Sequence, residues 1–320
     1  MSIELMIQNG DKIYYPVVQS GIVWETERKV TPGKLTFTVV KDGVLNFQEG
    51  NPVRLTVNGQ KVFYGFVFTK KRDKGGTIDV IAYDQTRYLK NKDTLVYEGK
   101  KASELVQMLA SDFNLQCGTI EDTGHMIESG VEENSTLFDM IQNALDETLQ
   151  ATGKLFVLYD DFGKLTLKNV QSLKLDLLID EETGENFDYS SSIDEQTYDK
   201  IKLAYNNEQT GKRDIYIAQD GSKINQWGVL QYFEQLQNPT GAAEKANALL
   251  KLYNQKTRKL TIKNAFGDPR VKAGTSVVVA LNLGDIITKN FMVVEKVKHI
   301  FTDEDEHFMD LTLIGGEFIA

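Results

Sequence analysis

Two distant stretches of the chain show the same order of apolar and polar positions. Each has a glycine, an alternating strand-like run, a turn, a second apolar run, a charged turn and a third alternating run, over residues 50–82 and 274–314. Alternation with a period of two is typical of a half-buried strand, because successive side chains point to opposite faces of a sheet. The pattern therefore predicts a β-unit that occurs twice.

Residues flanking these stretches extend the two β-regions. Residues 1–95 alternate well and contain Asn58-Gly59, a strong hairpin signal, which predicts a first β-domain. Residues 196–320 predict a second β-domain with one helix, whose apolar stripe includes Ala246 and Leu249. Within it Lys200–Tyr205 is expected to pair with Arg213–Ala218, and Asp220-Gly221 to form another hairpin turn.

The middle of the chain, residues 96–195, has a different pattern. Apolar positions recur at helical spacing in two segments, and the second is expected to begin at Ser135 or Thr136 and to end at Gly153. A small hairpin is predicted to follow. The acidic stretch from Asp180 to Glu195 is interpreted as a surface connector. We therefore expect an α+β insert domain between two β-domains.

Composition narrows the class of protein. The 320 residues carry a net charge of −10 with a pI near 5.0, which disfavours nucleic-acid binding because such binding depends on Lys and Arg. The single cysteine, Cys117, excludes an internal disulfide framework and is typical of a reducing compartment. Neither a secretion signal nor a membrane-spanning apolar segment is expected.

No residue pattern indicates catalysis, a cofactor or a metal. His125, His299 and His307 have no second ligand at zinc spacing, so structural or solvated roles are expected. The acidic clusters Asp180–Glu182 and Asp303–Glu306 lack the spacing of a calcium loop and are more typical of a solvated face or of a contact with a basic partner. No phosphate-binding loop or nucleophile motif is found, although 46 acidic residues leave a glycosidase pair open.

Three segments together resemble a known family. They are Phe47–Leu55 running into Val62–Val67, then Ile224–Gln231, and finally Gly267–Val279. With them the chain resembles the XkdQ/YqbQ-like family of phage tail baseplate hubs, from PBSX-type prophages, myophages and phage-tail-like bacteriocins. These are similar to late control D and T4-type hubs.

The resemblance implies a structural protein rather than an enzyme. It implies an α+β, predominantly β fold, with two related β-barrel tube-like domains around the insert. Three such chains would form a homotrimer that adapts the hexameric tail tube to the trimeric spike of a contractile injection system. The implied partners are further copies of the chain, the tube protein, the spike protein and other baseplate or tape-measure components. DNA would be only a passing cargo, and the implied location is the host cytoplasm during assembly and then the virion tail or particle baseplate.

Two charged hairpin tips are the candidate assembly sites. Charged edges protect unpaired strands from aggregation before a partner arrives. We expect interface residues in both tips, namely Lys70, Lys71, Arg72 and Lys74 in the first and Asp303, Glu304, Asp305 and Glu306 in the second. The alternatives are a tail-associated cell-wall hydrolase or carbohydrate-binding module, and a two-barrel adaptor that never forms a ring.

Overall fold

The computed structural model describes residues 1–315 except positions 30, 73, 185, 195, 208, 209, 237, 284–286 and 303. The strands are β1 (Ile3–Asn9), β2 (Lys12–Tyr14), β3 (Val18–Glu27), β4 (Lys34–Val40), β5 (Pro52–Val57), β6 (Gln60–Arg72), β7 (Thr77–Tyr83), β8 (Lys92–Lys101), β9 (Cys117–Ile120), β10 (Met126–Thr136), β11 (Phe156–Asp160), β12 (Leu165–Asn169), β13 (Lys174–Ile179), β14 (Asn186–Ser192), β15 (Lys200–Asn207), β16 (Lys212–Gln219), β17 (Gln231–Leu236), β18 (Thr257–Phe266), β19 (Ser276–Asn282), β20 (Ile287–Phe301) and β21 (His307–Gly315). The helices are α1 (Ala102–Asp112), α2 (Leu137–Thr152), α3 (Gly221–Trp227) and α4 (Ala242–Tyr253), with 3₁₀ turns at Gln85–Lys90 and Val170–Leu173.

One large sheet joins the two ends of the chain. Thirteen strands belong to it, and its main path runs β14-β18-β21-β20-β3-β4-β7-β6-β5-β1-β2, with β19 beside β20 and β13 beside β19. The fold is therefore predominantly β, as expected. The two closed barrels are not found, because β20 pairs with β3 of the N-terminal half and no described strand closes either half on itself.

The two halves of this sheet have the same strand order. The N-terminal half runs β5-β6-β7-β4-β3 and the C-terminal half runs β19-β20-β21-β18-β14, with every neighbouring pair antiparallel. The strands that flank them differ: β1 is antiparallel to β5, whereas β13 is parallel to β19. We call these halves the first and second repeats, and the predicted duplication is confirmed at the level of topology.

A bulge occurs at the same place in both repeats. In the first repeat, the pairing of β6 with β7 shifts between Val67 and Thr69. In the second, the pairing of β20 with β21 shifts between Val294 and Lys296. A bulge bends its strand and increases the local twist. The long central strand of each repeat therefore bends at an equivalent residue.

A glycine turn precedes the bulge in the first repeat. Gly50 has φ of 84° and donates its N–H to the Val67 carbonyl at 2.7 Å, while Val67 donates back to the Asn51 carbonyl at 2.9 Å. Gln48 N–H donates to Asn51 Oδ1 at 2.9 Å, and Asn51 N–H donates to the Gln48 carbonyl at 3.2 Å. A positive φ favours glycine, which has no Cβ to clash with the backbone.

The second repeat contains the same turn with the same hydrogen bonds. Gly274 has φ of 91° and donates to the Val294 carbonyl at 2.8 Å, and Val294 donates to the Thr275 carbonyl at 2.8 Å. Lys272 N–H donates to Thr275 Oγ1 at 3.3 Å, and Thr275 N–H donates to the Lys272 carbonyl at 3.0 Å. Four matched bonds show that the glycine shared by the two sequence stretches serves one backbone geometry.

The repeats are joined where the second half of β20 pairs with β3. Lys298 lies opposite Glu25, and His299 lies opposite Trp24, with the two rings stacked at 4.6 Å. Phe301 is fully buried and belongs to the hydrophobic core of the first repeat. This joint is therefore part of the folded core rather than a flexible linkage.

A buried pair of histidines lies behind the joint. His299 Nδ1 is 2.8 Å from His307 Nε2, and His299 Nε2 is 2.8 Å from the Val271 carbonyl. Burial, with the neighbouring His307, lowers the pKa of His299 to about 3, and burial lowers the pKa of His307 to about 4. The structural role expected for these two residues fits this geometry, although the pairing itself was not predicted.

The insert confirms most of the predicted local signals. Thr136 is the N-cap of α2, accepting from Asp139 N–H, and Gly153 ends the helix in the left-handed region. The hairpin of β11 and β12 forms as expected. Val157 of this hairpin packs on Gly274 so closely that any side chain there would collide with it. The insert is therefore seated on the glycine turn of the second repeat.

Three features differ from the sequence-based interpretation. The acidic segment from Asp180 to Glu195 contains β14, an edge strand of the large sheet. Asp220 is not in a hairpin turn but caps α3, accepting from the N–H groups of Ser222 and Lys223. Strands β15–β17 form a separate sheet covered by α4, which we call the small α/β unit.

We predict that Gly274→Ala destabilises the protein more than Gly50→Ala does. Both substitutions meet the same positive φ, which costs about 1 kcal/mol. Only the Gly274 position is covered, by Val157, whereas a Cβ added at Gly50 would meet no atom within 4 Å. Chemical denaturation should show an additional loss of about 1–3 kcal/mol for Gly274→Ala. Equal losses in the two variants would show that the insert does not pack on this turn.

We also predict that protonation of the buried histidines opposes folding. Below about pH 6.5 the unfolded histidines bind protons that folded His299 does not, so stability falls as pH decreases. For His299 alone the loss between about pH 6.5 and 5 is about 2 kcal/mol. Buried Asp84 and Asp160 act in the opposite direction, since burial raises their pKa values, so the comparison must be made between variants.

Unfolding free energies measured from about pH 7 to about pH 5 provide that comparison. His299→Gln should be less stable at neutral pH but should lose less stability on acidification than the unsubstituted protein. His125→Gln is the matched control, because His125 is a surface residue paired with Glu147. If the stability of His299→Gln falls with decreasing pH as steeply as that of the unsubstituted protein, His299 is not the group whose protonation opposes folding.

Candidate assembly interface

The first predicted tip lies at the end of β6 and in the turn that follows. Lys70 is tied to its own repeat, since its ammonium group donates to the Phe47 carbonyl and lies 4.5 Å from the Phe47 ring centroid. Lys71, Arg72 and Lys74 are exposed. Lys71 lies opposite Asp79 on β7. Three of the four predicted residues are therefore available to a partner.

The second predicted tip lies in the turn between β20 and β21. Glu304, Asp305 and Glu306 are exposed, and Asp303 lies outside the described residues. Glu306 N–H donates to Thr302 Oγ1 at 3.1 Å, and Asp305 has a positive φ of 60°. Among the described residues of this turn, the three acids are therefore exposed to solvent.

The two tips occupy equivalent turns of the two repeats. The first follows the central strand β6 and the second follows the central strand β20. No hydrogen bond or ion pair joins one tip to the other among the residues that the structure describes. They therefore represent two separate surfaces with opposite charge, one from each repeat.

Two strand edges of the large sheet that correspond to the internal joint have no described strand partner. One is the outer edge of β6 over Thr69–Arg72, beyond the point where its pairing with β5 ends at Phe66. The other is the outer edge of β14, which pairs only with β18. Unpaired N–H and C=O groups on an edge are a template for pairing with another strand.

These free edges are the counterparts of the edges that meet inside the chain. Lys71 lies four residues after the bulge residue Val67, as Lys298 does after Val294. Each lysine lies opposite an aspartate, Asp79 or Asp310. The free edge of β6 is therefore equivalent to the edge of β20 that pairs with β3.

Strand β14 is, in the same way, the counterpart of β3. Glu25 lies opposite Lys34 on β4, and Ser190 lies opposite Lys259 on β18. The buried neighbour Trp24 corresponds to Tyr189 by the same register. A copy of the internal joint between two chains would pair β6 of one with β14 of the other.

Both free edges carry polar side chains at positions that correspond to the internal joint. Lys71 and Arg72 stand where the joint has Lys298 and His299, and Ser190 stands where it has Glu25. Lysine, arginine and serine keep an unpaired edge soluble. The arrangement fits edges that remain in water until a partner strand arrives.

Two neighbouring carboxyl groups with raised pKa values lie elsewhere, beside a space too small for a substrate. Burial, together with the charge of Asp160, raises the pKa of Asp84 well above its usual range, and burial raises the pKa of Asp160 to about 6. The space beside the two carboxyls is about 30 Å³. That volume accommodates a water molecule but no organic substrate.

The described part of the chain shows no metal centre. Within it, no group of three or more His, Cys, Asp or Glu side chains is arranged to hold a metal ion. Its helices are all too short or too polar to cross a membrane. What the arrangement offers chemically is strand pairing at two complementary edges.

Sequence reasoning found the tips but missed the edge strand β14. The segment Phe187-Asp188-Tyr189-Ser190 does alternate large and polar side chains, which is the signal that could have identified a strand. Its acidic flanks and three successive serines concealed that alternation. Pairing with β18, far along the chain, then stabilises a strand that local propensity alone does not favour.

Comparison with known proteins gives a family match and a curated relative. A family model described as YQBQ-like matches residues 22–314. The phage-like element PBSX protein XkdQ of Bacillus subtilis (strain 168) is 32% identical over 283 residues, which cover 85% of this chain and 85% of that protein.

Solved structures with the same fold come from tail proteins and a secretion system. The 43 kDa tail protein of prophage MuSo2 from Shewanella oneidensis matches with a TM-score of 0.70 and 14% identity, over 99% of this chain and 100% of that one. The E. coli c3393 protein, described as a type VI secretion system component similar to T4 bacteriophage tail proteins gp27 and gp5, matches with a TM-score of 0.60 and 11% identity, over 99% and 78%. At such identities the likeness establishes the fold alone.

Proposed function

Because the chain belongs to the YQBQ-like family, we propose that it is a structural protein of a phage tail or phage-tail-like particle, with no catalytic role. More specifically, we propose a baseplate hub, a homotrimer at the distal end of the tail tube that adapts the hexameric tube to a trimeric spike. The names of the XkdQ and MuSo2 relatives support the tail setting. The hub, its trimer and its place in the virion are implied by the family resemblance, and the geometry below is the structural argument that supports them.

One observation carries the hub proposal: each chain contains one joint between repeats and the two free edges needed to form another. The internal joint pairs β20 with β3, and the equivalent free edges are β6 and β14. Pairing β6 of one chain with β14 of the next repeats the same contact. A head-to-tail contact of this kind produces a ring when its rotation closes.

Three chains would place six repeats around such a ring. Internal and intermolecular joints would alternate, so that the ring has threefold symmetry in sequence and approximate sixfold symmetry in backbone. A hexameric tube could then contact six similar surfaces while a trimeric spike contacts three identical chains. The duplication removes the mismatch that a single-repeat trimer would have.

The polar face of the sheet is the surface we assign to the channel of this ring. Charges of both signs alternate across the internal joint: Lys298 lies opposite Asp310 and Glu25, and Glu25 is paired with Lys34 at 2.5 Å. Neutralised charge on a channel wall gives a passing polymer few uncompensated sites to bind. This supports passage of DNA or of another tail component as cargo only.

We predict that a disulfide can capture the intermolecular joint. In a Cys117→Ser background, Lys71→Cys with Ser190→Cys should link neighbouring chains, because the two positions correspond to Lys298 and Glu25, which lie directly opposite in the internal joint. Non-reducing electrophoresis of assembled particles should show covalent trimers that collapse to monomers on reduction.

The matched control is the internal pair itself. Glu25→Cys with Lys298→Cys in the same background should form a disulfide within each chain and leave the monomer mass unchanged. If the control pair oxidises while the Lys71 and Ser190 pair yields no product larger than a monomer in particles, the proposed ring contact is wrong.

We further predict that reversing charge at either tip impairs particle assembly more than folding. Lys71→Glu with Lys74→Glu, and Glu304→Lys with Glu306→Lys, change exposed residues without a core role. The yield of assembled particles should fall while the thermal midpoint of the isolated chain stays within a few degrees, about 0.5 kcal/mol of stability for surface changes.

Lys154→Glu with Lys251→Glu is the control, since both lysines are exposed and the change in net charge equals that of the first tip. A loss of thermal stability that parallels the loss of assembly would refute the assembly role of the tips.

A further inference from the structure

The small α/β unit has one covered face and one open face. Its helix α4 packs on the side of the sheet that carries Ile201, Leu203 and Ala218. The opposite side exposes three large apolar side chains: Ile215 is 49% exposed, Ile217 is 54% exposed and Phe233 is 52% exposed. We call this opposite side the open face.

The strand register brings these side chains together. Ile217, Lys202 and Phe233 lie in one row across β16, β15 and β17. Ile215 lies in the next row, opposite the small buried residue Ala204. The exposed apolar groups thus form one connected surface rather than scattered single residues, and connected apolar surface is typical of a binding site.

Cations frame this surface, and none of its described side chains is acidic. Lys200 and Lys202 are two residues apart on β15, so both lie on the open face. Arg213 on β16 lies on the same face, where its Nε donates to Asn206 Oδ1 at 2.9 Å. The remaining members of the open face are glutamines, namely Gln219, Gln231 and Gln235. The acids of these strands turn to the other side, where Glu234 pairs with Lys245 of α4 at 2.6 Å.

A cationic surface is unusual for this chain, whose net charge is −10. A local excess of cations favours a ligand of negative charge. Because salt screens charges beyond about 10 Å, the ligand must approach closely to be attracted by these cations rather than repelled by the acidic remainder of the protein. Aliphatic Ile215 and Ile217 select apolar side chains on that ligand. A single exposed aromatic residue, Phe233, falls short of the several stacking rings that single-stranded nucleic acid uses.

We propose that the open face binds an acidic segment of another protein, one that carries large apolar side chains. The apolar side chains of the segment cover Ile215, Ile217 and Phe233, and its carboxylates pair with Lys200, Lys202 and Arg213. The surface belongs to neither free edge of the large sheet. The assignment therefore goes beyond the proposed ring and names a different partner-binding surface.

Photo-crosslinking of the complete chain in the cells that produce it tests the proposal. With p-benzoyl-L-phenylalanine in place of Phe233, irradiation should yield an adduct whose peptide, identified by mass spectrometry, has net negative charge and large apolar residues. The same photoreactive residue in place of Val44, which is 76% exposed in a distant loop, measures background capture.

Charge reversal distinguishes the proposed contact from incidental capture. Lys200→Glu with Lys202→Glu should lower the adduct yield about tenfold, equivalent to about 1.4 kcal/mol. Lys154→Glu with Lys251→Glu changes the net charge equally at exposed sites off the open face and should leave the yield unchanged.

Three results would overturn the inference: no adduct above the Val44 background, an adduct with nucleic acid, or an adduct whose yield is unchanged in the Lys200→Glu, Lys202→Glu variant. The hub proposal is tested separately, by using an antibody against the chain to detect it in purified particles. Absence from particles together with a charge-sensitive acidic adduct would contradict the hub and leave this inference standing.

Discussion

The architecture depends on one strand that serves two neighbours in succession. The first part of β20 pairs with β19 of its own repeat, and after the bulge at Val294 and Lys296 the second part pairs with β3 of the other repeat. The bulge is required, because only a bent strand can leave one neighbour and meet another at a different angle. Phe301 then enters the first core. The two repeats consequently share a continuous sheet, and neither can change its position without breaking buried contacts.

The internal joint and its proposed intermolecular copy face different physical demands. The internal joint forms while the chain folds, so it can bury His299 against Trp24 and place Phe301 in a core. The free edges must remain in water first, and β6 carries Arg72 at the position equivalent to His299. Polar edges prevent uncontrolled pairing but still offer every backbone hydrogen bond to a matching strand. The difference in side chains therefore supports, rather than weakens, the equivalence of the two contacts.

The sequence predicts the repeated unit well because its signals are local. Alternating apolar and polar residues indicate which face of a strand is buried, and the glycines at positions 50 and 274 indicate a positive φ. Each of these signals depends on neighbouring residues alone. The joint could not be predicted, since it depends on which distant edge β20 meets after its bulge. The charged tips lie in turns, as expected, and their role in assembly stays a prediction, while β14, a polar strand stabilised by its distant partner β18, was taken for a connector.

One topological difference between the repeats follows from how the chain enters each of them. In the first repeat β1 runs antiparallel to β5, whereas in the second β13 runs parallel to β19. The chain therefore enters the second repeat from the opposite end, directly after the insert. That route places the insert hairpin against the turn at Gly274, where Val157 packs and Lys272 pairs with Asp161 at 3.0 Å. The equivalent turn at Gly50 has no such cover. Reversing one flanking strand thus distinguishes two otherwise equivalent units, so that a ring of similar repeats would carry the insert at every second position only.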